Sequence, residues 1–201
     1  MILLMDKAER FLIDIIGLDI DVNPIVKDCQ KIVEDFKKAE DNKDLTKPYS
    51  IVLTENPGVE ETAGELVSYS DIHNKKYFDR TNEAHLKDIY QTTSLAGLVE
   101  KLPFPFSIMR LSVLPPSTII SMHTDASCHA QLAITTNEDC FVAARTGETR
   151  HVPVDGKLYV ISTTLPHTAF NASSEERIHL SISIYDEDYV KMLKGEAFST
   201  N

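Results

Sequence analysis

Residues 121–137 read SMHTDASCHAQLAITTN. From Ala130 to Thr136 the run is short, apolar and β-branched, the composition of a buried strand. Just before it His123 and Asp125 stand two apart, and His129 follows four residues after Asp125. In an extended chain residues i and i+2 share a face, so an imidazole and a carboxylate can enter the interior of a small β-barrel side by side. Imidazole nitrogen plus carboxylate oxygen, with coordination positions left open, suits non-haem Fe(II). With 7 His and 16 Asp in 201 residues, an H-x-D pair arises by chance in about one such sequence in two, so the pair needs support from elsewhere. The competing reading is a polar corner at a strand end.

Working outward, the texture on both sides is that of β-structure. Phe106–Leu114, Thr118–His123, Ala130–Thr136, Cys140–Ala144, Leu158–Thr163 and Ile178–Tyr185 are short segments rich in Val, Ile, Phe, Tyr and Thr. Pro115-Pro116, Asn137-Glu138-Asp139, Thr146-Gly147, Asp155-Gly156 and the stretch 171–176 supply turns between them. Of these, Asp155-Gly156 is the strongest hairpin signal. Short strands at this spacing imply a mainly β fold, a sandwich or barrel, and the count fits a jelly roll. The first hundred residues differ. Asn23-Pro24 can begin a helix, and Ile25, Val26, Cys29, Ile32, Val33 and Phe36 follow at helical spacing, which predicts an amphipathic helix over 24–40. A weaker helical pattern runs over 82–101, with Gly97 and the Thr-Thr-Ser run at 92–94 expected to break it. The expected organisation is one domain over 1–201, in which a helix-containing support region (1–103) packs its helices outside a jelly-roll core (104–185).

Composition narrows the function classes. The chain is 42% hydrophobic and 25% charged, ordinary globular values, with a net charge of -11. Acidic groups outnumber basic ones in residues 1–50, 51–100 and 101–201 alike, which argues against nucleic acid as a partner. Cys29, Cys128 and Cys140 form no CxxC pair, so neither a disulfide framework nor a thiolate zinc site is suggested, and a reducing, cytoplasmic compartment is expected. The apolar start Met1–Met5 is short and is followed by Asp6, Glu9 and Asp14, which reads neither as a signal peptide nor as a membrane span.

Support for the H-x-D pair comes from far along the chain. His167, in TTLPHTAFN, can serve as a third ligand. Arg177, ten residues later, opens ERIHLSISI, and an arginine leading into a barrel strand is costly unless it meets an anion such as a dicarboxylate co-substrate. Four of the six arginines (Arg110, Arg145, Arg150 and Arg177) lie in the β-rich half. The alternatives at these positions are a Pro-containing turn for His167 and a surface pair with Glu175 or Glu176 for Arg177.

The order HTD (123–125), PH (166–167), ERIHL (176–180) resembles the Fe(II)/2-oxoglutarate-dependent dioxygenases, most of all the aspartyl/asparaginyl β-hydroxylase-like branch, which includes some free-proline hydroxylases. The resemblance covers roughly residues 104–185. It implies a double-stranded β-helix (the jelly roll, cupin-like) and hydroxylation of a C–H bond in an amino acid or a peptide or protein side chain. Fe(II) would be held by His123, Asp125 and His167, with 2-oxoglutarate and O2 as co-substrates. Arg177 matches the arginine that binds the distal carboxylate of 2-oxoglutarate. In this branch an arginine and a histidine two apart follow the first iron ligand; here CHAQL (128–132) puts His129 and Gln131 in those places, a departure that bears on the second co-substrate contact.

His129 reads equally as a strand histidine, and His179, alternating with Arg177, reads as structural. His73, His85 and His151 read as surface residues, and Cys128 as no ligand. Arg110, on the strand preceding the triad, is a candidate for a substrate carboxylate. Two other functions stay open on the residues alone: a cupin-like metal enzyme without 2-oxoglutarate, and a jelly-roll binding module without catalysis. Substrate identity and oligomeric state are not legible.

Overall fold

In the computed structural model residues 12–39, 44–55 and 84–185 are described, together with Asp188, Val190, Lys191 and Lys194. Two antiparallel sheets dominate. The larger has six strands in the order β1 (Leu12–Gly17), β10 (Lys157–Ile161), β7 (Cys128–Thr135), β12 (Arg177–Ile184), β5 (Phe106–Leu114), β2 (Tyr49–Val52). The smaller has the order β6 (Thr118–Ile119), β11 (His167–Asn171), β8 (Cys140–Ala144), β9 (Thr149–Arg150). A two-stranded ribbon pairs β3 (Thr54–Glu55) with β4 (His85–Leu86). Leu114, Ala133, Tyr159 and Ile161 of the large sheet form one apolar cluster with Val142, Ala144 and Ala169 of the small one, so the two sheets stack face to face as a jelly roll.

The opposite face of the large sheet is covered by helices, as expected. Helix α1 (Asn23–Ala39) buries Ile25, Cys29 and Val33, one residue per turn, against Leu111, Leu132, Leu180 and Ile182. Burial of an Ile or Val side chain is worth about 1.5–3 kcal/mol, which is why this stripe fixes the helix to the sheet. The Asp21 carboxylate accepts from the Asn23 backbone N–H at 3.0 Å at the helix start. Phe36 stacks on Tyr49 with ring centroids 5.7 Å apart.

The 82–101 expectation is corrected. Residues 82 and 83 lie outside the described residues, and the rest divides into β4, a 3-10 turn (Asp88–Tyr90) and helix α2 (Ser94–Lys101). The Thr-Thr-Ser run begins this helix rather than breaking one. Thr93 is its N-cap, accepting from the Leu95 N–H, while Asp28 of α1 accepts from both the backbone and the hydroxyl of Ser94. Gly97 sits inside the helix.

The strands β5 and β8 span the expected residues, and β7, β10 and β12 differ from expectation by one or two residues at an end. Four differences matter. The N-terminal half supplies not only helices but the edge strands β1 and β2 of the large sheet. The 118–123 segment is a strand only over Thr118–Ile119, and His123 forms an isolated bridge to His167. Residues 167–171, not among the expected strands, are strand β11. Asp155-Gly156 makes a turn, with Gly156 at φ 77°, but the strands it links lie in different sheets, so it is no hairpin. The hairpin is at Thr146-Gly147, between β8 and β9, with Gly147 at φ 89°.

Candidate metal and co-substrate site

Alternation along the central strands sorts side chains into two populations. In β12 Ile178, Leu180, Ile182 and Ile184 join the apolar layer under the helices, leaving Arg177, His179, Ser181 and Ser183 for the other face, all buried. Register then aligns them with their neighbours: Arg110 of β5 stands opposite Ser181, which stands opposite Gln131 of β7, and Ser183 stands opposite His129. The result is a polar floor inside the jelly roll. Over it lies a cavity of about 360 Å3, measured out to its mouth, lined by Arg110, Asp125, His129, Gln131 and Arg177 as well as His123 and His167.

His123 and Asp125 do not lie in one strand, so their shared direction has another cause than strand alternation. His123 and His167 exchange backbone hydrogen bonds, N to O at 2.9 and 2.8 Å, and the Asp125 N–H donates to Thr163 O at 2.8 Å. Three main-chain bonds thus fix His123 to His167, at the start of β11, and Asp125 to Thr163, four residues before it. One ligand atom from each of His123, Asp125 and His167 lies within 4.8 Å of the others. The His123 Nε2 is 3.6 Å from Asp125 Oδ1, and the His167 Nε2 is 3.4 Å from Oδ2.

Which nitrogen faces inward is set by the backbone. His123 Nδ1 lies 2.7 Å from Ser121 O, and His167 Nδ1 lies 2.9 Å from Leu165 O. A carbonyl only accepts, so each Nδ1 carries a hydrogen and each neutral ring turns its Nε2 lone pair toward Asp125. The two rings are 4.4 Å apart, centroid to centroid. Two lone pairs and a carboxylate facing one another repel, and a cation between them removes the conflict. Metal bonds of about 2.0–2.2 Å hold neighbouring ligand atoms about 3 Å apart, which the two His–Asp separations of 3.6 and 3.4 Å approach. The donor set, two imidazole nitrogens and one carboxylate, fits non-haem iron.

Electrostatics sharpen this. Burial acts to raise the Asp125 carboxyl, but the neighbouring His129 and the Arg110 guanidinium favour its charged form and hold the group far below the usual carboxylate range. His129, whose Nδ1 is 3.4 Å from Asp125 Oδ2, is pushed down to about 3 by burial, against the pull of Asp125.

Arg177 is 2% exposed and does not pair with Glu175 or Glu176; Glu176 pairs with Lys37 instead. The arginine donates from Nε to His179 Nε2 at 3.1 Å and from Nη2 to Gln131 Oε1 at 3.3 Å. His179 Nδ1 lies 2.8 Å from the same Gln131 oxygen. Its partnership with Arg177 and Gln131 was missed in the sequence, although polar residues at every second position from 177 to 183 marked the face. His85 is exposed, as expected, and His73 lies outside the described residues. His151 is half-buried rather than on the surface, its Nδ1 2.9 Å from Cys140 O. Cys128 is buried in the apolar layer under the helices and does not line the cavity.

A profile of the aspartyl/asparaginyl β-hydroxylase family matches residues 26–187. Fold and family together define the class, a 2-oxoglutarate-dependent hydroxylating dioxygenase. The chain belongs to the aspartyl/asparaginyl β-hydroxylase family. Among solved structures it is similar in fold to a Pseudomonas putida prolyl-4-hydroxylase, at 15% identity over 92% of this chain and 97% of that one, TM-score 0.46. It is also similar to an oxidoreductase of the 2OG-Fe(II) oxygenase family from Burkholderia pseudomallei, at 11% identity over 90% and 88%, TM-score 0.49. A third is the viral collagen prolyl hydroxylase of Paramecium Bursaria Chlorella virus-1, at 10% identity over 89% and 97%, TM-score 0.43. No curated protein matches the chain significantly.

Proposed function

We propose that this hydroxylase binds Fe(II) through His123, Asp125 and His167, takes 2-oxoglutarate and O2 as co-substrates, and hydroxylates an amino acid, free or within a peptide. The observation that carries the metal assignment is the pair of Nε2 lone pairs turned on one carboxylate, both tautomers being fixed by backbone carbonyls. The iron and its co-substrates supply the oxidising power for a C–H bond, and the chain supplies binding, orientation and charge.

Arg177 holds the distal carboxylate of 2-oxoglutarate. Its burial and its position on the cavity wall support this, because a buried guanidinium is stabilised by an anion. His129 and Gln131, on the same floor, border the co-substrate, and His129 also orients the Asp125 carboxylate.

Arg110, 3% exposed on that floor, is assigned to a carboxylate of the substrate. Its place on the cavity wall beside the triad supports this, since a guanidinium there would meet an anionic group of the substrate. We further read the chain as one folding unit, with residues 1–103 supporting a core at 104–185. Among the described residues no helix is long and apolar enough to cross a membrane.

The test is aerobic incubation with Fe(II) and 2-oxoglutarate, following succinate with and without a panel of free amino acids and peptides. Succinate formation stimulated by one class of substrate, and lost in Arg177→Ala, is the expected result. Undetectable 2-oxoglutarate binding, with Arg177→Ala indistinguishable from the parent, overturns it.

A further inference from the structure

Asp125 is carried on a short crossover between the sheets. Residues 124–127 lead from His123, bridged to β11 of the small sheet, to β7 of the large one, and residues 162–166 lead from β10 of the large sheet to β11. The two crossovers meet at Thr163. The β7–β10 ladder pairs Gln131 with Tyr159, Ala130 with Val160 and His129 with Ile161, and the same register continued by two residues sets Ser127 opposite Thr163. The Thr163 N–H is taken by Ile161 O, at 2.8 Å, and the side chain makes the connection. Its hydroxyl donates to Ser127 O at 2.6 Å, while its carbonyl accepts from the Asp125 N–H at 2.8 Å. One residue therefore holds the 124–127 loop at Asp125 and again two residues further on. Thr163 and Ser127 are each 1% exposed, so water is a poor substitute for either partner.

We infer that the Thr163 hydroxyl positions the Asp125 carboxylate, and that through this loop Thr163 sets the metal affinity and coordination geometry of the triad. The inference rests on the Fe(II) reading of the site. A single N–H···O bond at Asp125 leaves the loop free to pivot about that bond, whereas a second attachment at Ser127 fixes the main chain on the far side of the carboxylate. Aim matters because the carboxylate is shared among three rings. Its Oδ1 lies 3.6 Å from His123 Nε2, and its Oδ2 lies 3.4 Å from both His167 Nε2 and His129 Nδ1. A turn of the carboxylate toward one ring takes it from another. Without the hydroxyl the buried Ser127 carbonyl loses that donor, and the loop shifts to recover one. Thr163 does not line the cavity, so it reaches the metal only through the loop it holds and is a positioning residue.

The experiment is titration of the metal-free, full-length protein with Co(II), a spectroscopic stand-in for Fe(II), followed by calorimetry and by visible absorption. Three variants are compared with the parent: Thr163→Val, Thr163→Ala and Thr163→Ser. Valine keeps the branched shape and removes the hydroxyl. Alanine removes the hydroxyl without adding a methyl, which gives a second folded candidate. Serine keeps the hydroxyl and drops only the methyl. Thermal melts identify any variant that fails to fold.

The expected result is a Kd for Co(II) raised about tenfold or more in Thr163→Val and Thr163→Ala, with visible bands that differ from the parent's in position or intensity. Thr163→Ser should bind within about threefold of the parent and keep the parent's bands. If folded Thr163→Val binds Co(II) like the parent and with the same bands, the positioning role is wrong and the metal site stands. If Thr163→Ser loses as much affinity as Thr163→Val, the methyl packs and the hydroxyl does not position, which also overturns the inference. If neither hydroxyl-free variant folds, the hydroxyl serves the fold as a whole and the assignment is again wrong. If the parent itself does not bind Co(II), the metal reading fails and the inference with it.

Discussion

The two faces of the six-stranded sheet are built by the same strands and do opposite work. On the outer face Met109, Leu111, Val113, Leu132, Leu180 and Ile182 lie under the helices with no charged group among them. On the inner face Arg110, Ser112, His129, Arg177, His179 and Ser181 are almost as deeply buried, with Gln131 half-buried among them. Apolar burial stabilises without direction, whereas each buried polar group costs free energy unless a partner meets it. The inner face is therefore a structural liability that the outer face offsets. Its groups are ordered enough to hold an ion and a dianion because the helix-covered side carries the stability.

This contrast predicts that substitutions on the two faces separate cleanly. Asp125→Ala, above the inner face, removes the one carboxylate of the triad; metal affinity and turnover should fall by at least about 100-fold, with little loss of thermal stability in the metal-free protein. Metal analysis after anaerobic Fe(II) addition, beside a melt, checks both halves. Leu180→Ala, on the outer face of β12, should cost about 2–5 kcal/mol in urea unfolding and leave the 2-oxoglutarate Kd unchanged where the protein is folded. Arg177→Met, three residues before it on the other face, should reverse that pattern: a Kd for 2-oxoglutarate raised by about 10–100-fold and an unfolding midpoint near the parent's.

The smallest effect is on pH. Burial holds His129 at about 3 in the fold, against 6.5 for an ordinary histidine, and drives His179 well below that too. Between those values the unfolded chain binds protons that the folded one does not, so stability is full above pH 6.5 and is lost as pH falls toward 3. The melting temperature of the metal-free protein should decline over that window, and less steeply in His129→Leu. An unchanged slope in that variant would remove His129 as a source of the loss.

Much of this was legible in the sequence, for reasons that differ by residue. Strands β5 and β8 were readable because β-branched and aromatic runs are bounded there by Pro and Asp or Gly turns. His123, Asp125, His167 and Arg177 were readable by order and spacing. What strand periodicity could not supply was the cause of the His123–Asp125 convergence, which lies in backbone pairing with residues 163 and 167. Strand β11 was hidden because HTAFN follows a proline and mixes polar with apolar residues, so no period emerges from five positions. The edge strands β1 and β2 were hidden because pairing with β10 and β5 is a tertiary fact. His179 was undervalued because a histidine two residues from an arginine has no role until a third residue, Gln131, arrives from another strand.

The most direct test of the inner face as an iron and 2-oxoglutarate site is one calorimetric titration, 2-oxoglutarate into the protein under anaerobic conditions with and without Fe(II). The prediction is one-to-one binding that is strong only when Fe(II) is present, and weakened in Arg177→Met. Binding of equal strength with and without the metal, or no binding in either state, would contradict the proposal that His123, Asp125, His167 and Arg177 act as one site.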